Sequence, residues 1–124
     1  MCLDRVSKKK PAPEGVGYKV FDLRPGDKRL YGEMARRDKV RPVGTWLKSR
    51  NYSLQRKEGF VTPIRGKYPV GWHIFKSLAA IENWVYGTDP DSYATRRIKY
   101  RQAHTEGTTD GYKVVVAKEI YIIP

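Results

Sequence analysis

The sequence predicts an α+β fold: a single small domain with a mainly antiparallel sheet of about five strands, packed with one clear helix at about 78–86. Three observations lead there. The stretch from Tyr68 to Tyr86 passes directly from strand-like alternation into helical periodicity. The other periodic segments repeat every two residues and are rich in β-branched and aromatic side chains. No strand–helix–strand alternation recurs, so a parallel sheet is not indicated. A chain of 124 residues fits one domain with a modest core. The division read from composition is a flexible basic arm over 1–16 followed by one domain over 17–124.

In chain order, residues 1–16 carry Lys8, Lys9 and Lys10 with two prolines and no period, the pattern of a solvated arm able to touch phosphates. Tyr18, Val20 and Asp22 alternate with Lys19, Phe21 and Leu23 to give a first strand, ended by the turn Arg24-Pro25-Gly26-Asp27. Over 27–39, Leu30, Tyr31 and Met34 stand at helical spacing behind Asp27 as a cap. This permits a short second helix, in which Gly32 costs roughly 1 kcal/mol relative to Ala. Val43 to Lys48 reads as a strand begun at Pro42, with Trp46 and Leu47 on opposite faces.

Residues 49–59 have no period and read as a positive loop. Phe60 to Ile64 reads as an edge strand, because Pro63 cannot sit in a central one. Val70, Trp72 and Ile74 then alternate with Gly71, His73 and Phe75. Ser77 caps the helix carrying Leu78, Ile81, Trp84 and Val85 on one face, and Gly87 stops it. After a turn at 88–91, residues 96–102 form a strand with Arg97, Lys99 and Arg101 on one face and Ile98 and Tyr100 on the other. Residues 104–111 read as a turn region ending in the hairpin signal Asp110-Gly111. The β-branched run 112–123, interrupted at Lys118 and Glu119, reads as one strand or as two separated by a bend.

Charge is the strongest functional signal. Lys and Arg number 25 against 13 Asp and Glu, for a net charge of +12, a field that attracts polyanions. Basic residues also recur beside tyrosines: Arg50, Tyr52 and Arg56; Arg65 and Lys67 beside Tyr68; Arg97, Lys99, Tyr100 and Arg101. Cations can hold phosphates while aromatic rings stack on bases, so these residues are the candidate nucleic-acid or anion-binding set. Tyrosine also packs beneath sheets with its hydroxyl wet, which accounts equally for its frequency.

Metal chemistry finds no support, since two histidines and one cysteine give no ligand spacing. His73, within a strand, reads as a structural histidine. Phosphate-binding glycine loops are absent. A lone cysteine at position 2 excludes an internal disulfide, and no apolar run is long enough for a signal peptide or membrane span. The expected location is the cytoplasm of a bacterial host cell.

The succession Tyr18-Lys-Val-Phe21, Gly71-Trp-His-Ile-Phe75 with its Ser-Leu-Ala-Ala helix, and the closing Val-Val-Val-Ala-Lys-Glu-Ile-Tyr-Ile-Ile strand resembles small phage and bacterial domains of uncharacterised activity. The likeness spans 17–123 through loose motifs. Those domains are in turn remotely similar to the ADP-ribosyltransferase fold. That resemblance would set Phe75-Lys76-Ser77-Leu78 at the Ser-Thr-Ser element and Glu119 at the late catalytic glutamate, implying Ser77 and Glu119 as catalytic residues and NAD as cosubstrate. Phe75 and Lys76 depart from the small hydroxyl residues of that element, Ala117 from a second glutamate, and Arg24 follows its strand instead of lying in it.

The leading expectation is therefore a non-enzymatic binding protein for an anionic ligand, either nucleic acid or a nucleotide-type molecule. As a phage protein, which the resemblance implies, it would act on a host system. Two alternatives stay open: an NAD-using ADP-ribosyltransferase-like enzyme, and a protein-interaction or virion component binding an acidic protein.

Overall fold

A computed structural model describes residues 3–32, 40–49, 60–61, 68–69 and 71–124. The predicted class is the one observed: a single small domain, mainly antiparallel sheet, with one helix. Its strands are β1 (Arg5–Val6), β2 (Gly15–Arg24), β3 (Asp27–Tyr31), β4 (Trp46–Lys48), β5 (Phe60–Val61), β6 (Tyr68–Pro69), β7 (Trp72–Phe75), β8 (Tyr93–Thr109) and β9 (Tyr112–Ile122). The helix α1 spans Leu78–Trp84, and a single 3₁₀ turn covers Pro90–Ser92.

The pairings close on themselves. β8 pairs with β2 along one edge and with β9 along the other, β9 pairs with β7, and β7 returns to β2 through the single residue pair Tyr18↔Phe75. β1 extends the β8 edge, β4 the β9 edge and β3 the β2 edge, while β5 and β6 form a separate two-stranded ribbon. Closure leaves the long strands β8 and β9 paired along both edges for part of their length and confines the outer edges among the described residues to the short strands β1, β3 and β4 and the β5–β6 ribbon.

Alternation along each strand then divides side chains between the inside and the outside of the ring. Phe21, Trp72, Ile74, Ile98, Tyr100, Val115, Ala117, Ile120 and Ile122 fill the interior. Val20, Phe75, Val114 and Val116 point outward and are covered by Ala80 and Ile81 of α1 and by Leu3. Burying a side chain such as Ile81 contributes about 1.5–3 kcal/mol. Ser77 caps the helix as expected, its hydroxyl accepting a hydrogen bond from the Ala80 N–H at 3.2 Å.

On β9 the inward residues are Val115 and Ala117, then Ile120 and Ile122, so the phase of alternation changes between Ala117 and Ile120. The interruption seen at Lys118 and Glu119 is thus a change of phase within one continuous strand. The neighbouring β8 changes phase at the same level, from Ile98 and Tyr100 to Ala103, with Gln102 in the left-handed region at φ 56°.

Three expectations are corrected. The short helix expected from Asp27 is instead β3. A tight turn with Gly26 at φ 73° folds residues 27–31 back onto β2. Asp27 accepts hydrogen bonds from Arg29 and Tyr31 instead of capping, and residues 33–39 lie outside those described. The turn expected over 104–111 is only Asp110-Gly111, both with positive φ as a two-residue hairpin requires. Residues 104–109 continue β8, and Gly107 sits where any Cβ would collide with the Arg5 carbonyl oxygen and with Leu3. The arm expected over 1–16 contributes β1, pairing with Gly107 and Thr108, and begins β2 at Gly15. Leu3 is only 1% exposed, and its N–H donates to the Tyr68 hydroxyl at 3.1 Å. The hydrophobic Leu3 and Val6, together with this pairing, outweigh the mobility implied by the lysines and prolines.

Candidate nucleic-acid interface

The predicted alternation of 96–102 puts Arg97 and Lys99 on the exposed outer face of β8, with Arg101 beside them, while Ile98 and Tyr100 are buried inside. Register supplies what the linear sequence did not reveal. Lys99 stands opposite Tyr121, Arg101 opposite Glu119, Trp46 opposite Tyr121 and Lys48 opposite Glu119. Three adjacent strands, β4, β9 and β8, thus present one outer surface in which two aromatic rings lie between cations.

The rings of Trp46 and Tyr121 lie 5.5 Å apart, tilted by 50°. The Lys99 ammonium is 5.8 Å from the Tyr121 ring centre, and the Arg101 guanidinium carbon is 4.0 Å from that of Trp46, within the range of cation–π attraction. Trp46 and Tyr121 were not among the expected site residues. The one signal in the sequence was the expectation that Trp46 and Leu47 stand on opposite faces of a strand.

Arg101 also binds Glu119. Its Nε and Nη2 donate to the two carboxylate oxygens at 3.0 and 3.1 Å, and the Gln102 amide donates to Oε2 at 2.9 Å. Glu119 is only 4% exposed. The Arg101 hydrogen bond holds its carboxyl below the ordinary carboxylate range despite burial, and the charges of Arg101 and Lys48 add to the effect.

Two open clefts flank the Trp46–Arg101 stack. One, of about 420 Å³, is lined by Lys48, Ser49, Arg101, Gln102, Lys118 and Glu119. The other, of about 370 Å³, is lined by Glu14, Gly15, Val16, Trp46, Lys99, Tyr100 and Arg101. Lys76 adds a cation beside the second cleft, where its ammonium donates to the Val16 carbonyl at 2.7 Å and to the Tyr100 hydroxyl at 3.0 Å. Tyr100 itself packs in the ring interior and is only 4% exposed, so its aromatic ring is not part of this outer face. Arg50, Tyr52, Arg56, Arg65 and Lys67 lie outside the described residues.

Ser77 and Glu119 do not converge. Ser77 follows Phe75, which pairs with Val114. Glu119 lies five residues further along β9, roughly 16 Å at strand spacing. The Ser77 hydroxyl is engaged at the helix start and the Glu119 carboxylate by Arg101 and Gln102. Among the described residues, no group of three or more His, Cys, Asp or Glu could hold a metal ion, and no helix is long and apolar enough to cross a membrane.

His73 faces the helix-covered side. Its Nε2 lies 2.9 Å from the Tyr68 hydroxyl, and its carbonyl accepts from the Lys19 ammonium at 3.0 Å. Loss of hydration pushes its pKa down to about 3, and the Lys19 charge adds to the shift. Comparison of the chain with family models, with curated proteins and with solved structures finds no match.

Proposed function

We propose that the protein is a non-enzymatic binding module for single-stranded nucleic acid, taken on the outer face of β4, β9 and β8. One observation carries the reading: Trp46 and Tyr121 form an aromatic platform with Lys99 and Arg101 against its rings. Bases have π faces that stack on such rings, and phosphates are drawn to flanking cations, so the arrangement suits a strand with its bases unpaired. In a duplex those faces are already stacked and out of reach of a surface platform. The +12 net charge adds a long-range attraction for the same ligand.

Fluorescence anisotropy with labelled oligothymidylate, oligouridylate and a matching duplex, over a series of salt concentrations, tests this reading. Tight binding of the single strands, weaker binding of the duplex and a linear fall of log K with log salt are expected. Failure to bind either single strand at low salt removes the proposal. Binding only to an acidic polypeptide included as a control would assign the face to a protein partner.

A further inference from the structure

The geometry at Arg101 goes further, on the basis of the binding reading above. A guanidinium is planar, with two faces and a fork of donors along its edges. In Arg101 the guanidinium carbon stands 4.0 Å from the centre of the Trp46 ring and the Nε–Nη2 edge is committed to Glu119. Its side chain is nevertheless 39% exposed, and among the described residues no hydrogen bond engages its Nη1 edge. Glu119 is held in turn by Gln102, whose backbone takes a conformation that L residues rarely adopt.

A phosphate arriving at Arg101 would meet a buried carboxylate already bound there. It would have to displace that carboxylate, leaving a buried anion without its counter-charge, or lie beside it against like-charge repulsion. Neither obstacle arises at Lys99 or Arg97. Both are exposed and stand two residues apart on β8, about 6.6 Å at strand spacing, a step comparable with the separation of successive phosphates in a single strand.

We infer that Arg101 is a stacking residue and not a phosphate ligand. Its guanidinium, held over Trp46 by Glu119, offers its outer face to a nucleobase while Lys99 and Arg97 take the phosphates. Glu119 is then a positioning residue, an internal anion that keeps the most strongly placed cation of the site away from the backbone of the ligand. The consequence is selectivity for strands whose bases are free to stack.

The same anisotropy titrations, run on variants of the full chain, separate the roles. Loss of a phosphate contact lowers the salt slope by about 0.7 per contact on single strands. Lys99→Ala and Arg97→Ala are expected to do this. Arg101→Ala is expected to weaken binding about tenfold, the scale of one lost stacking contact, with an unchanged slope. Arg101→Lys keeps the charge but not the plane, and is expected to resemble Arg101→Ala. Glu119→Gln frees the guanidinium and is expected to steepen the slope by about 0.7.

Circular dichroism melts establish which variants are folded, and the conservative pair Arg101→Lys and Glu119→Gln carries the test if Arg101→Ala is not. A slope lowered by Arg101→Ala and restored by Arg101→Lys overturns the stacking role but leaves the binding reading intact. An unaltered slope in Glu119→Gln overturns the positioning role. Absence of binding by the unmodified protein to either single strand overturns the binding reading and this inference with it.

Discussion

β9 treats the outside of the ring in two opposite ways along its length. In its first half it turns Val114 and Val116 outward, where Phe75, Ala80, Ile81 and Leu3 bury them. In its second half it turns Glu119 and Tyr121 outward, beside Lys99, Arg101 and Trp46. The inner face is apolar throughout, so the interior makes no distinction between the halves. The difference is made by the phase change between Ala117 and Ile120. Had the alternation of 114–117 continued, Ile120 and Ile122 would face outward and Glu119 and Tyr121 inward. One local irregularity in two paired strands therefore separates a surface that recruits a helix from a surface lined by cations and aromatic rings.

The sharpest way to break this comparison is to exchange the character of the closed half. Val116→Asp places a charge where the side chain is fully buried, and is expected to abolish the folded state, seen as loss of the cooperative melt by circular dichroism. Ile81→Ala should cost about 2–4 kcal/mol in urea unfolding through the cavity it leaves under α1. Because Ile81 is remote from the cationic face, its salt slope for nucleic acid should stay that of the unmodified protein. A changed slope would show that the two halves are coupled.

The closed half should also be sensitive to acid. His73 is disfavoured in its charged form in the folded state, while in the unfolded chain it titrates near 6.5. Its contribution to stability is therefore present above pH 6.5 and is lost as pH falls towards the folded value near 3. By pH 5 this linkage amounts to up to about 2 kcal/mol. Urea midpoints of the unmodified protein and of His73→Gln, compared at pH 7 and pH 5, isolate it; equal pH dependence in both would refute the assignment. The smallest effect belongs to the open half. Arg97→Ala, at an exposed strand position, should change stability by no more than about 0.5 kcal/mol while lowering the salt slope.

What could be read from the sequence follows from where the determining interactions lie. Ser77 as a helix cap, the opposed faces of Trp46 and Leu47, and the alternation of Arg97 to Arg101 depend on neighbours within a few residues, and all three are found. β3 was not legible because Asp27 suits a helix cap as well as it suits the hairpin where it binds Arg29 and Tyr31. The extension of β8 through Thr-Glu-Gly-Thr-Thr was hidden by polar composition. It is held by β9 along one edge and, at Gly107 and Thr108, by the two-residue β1 along the other. The platform of Trp46, Tyr121, Lys99 and Arg101 joins residues from three strands, so it is written in cross-strand register, which no single stretch of sequence contains.

The single pair Tyr18↔Phe75 that closes the ring bears on how the molecule assembles and opens. β8 and β9 are joined by a two-residue turn, so their long pairing can grow from its own hairpin like a zipper. The seam must wait for β2 to arrive from far earlier in the chain, so it closes a much longer loop than the hairpin does and has one residue pair to offset that entropic cost. Native-state hydrogen exchange should find the amides of the β8–β9 ladder protected to the level of global unfolding and those at the seam released by a smaller opening. Uniform protection across both would mean that the ring opens only by unfolding. A seam that parts first would make the molecule a clasp, hinged along β8 and β9 and fastened at Tyr18.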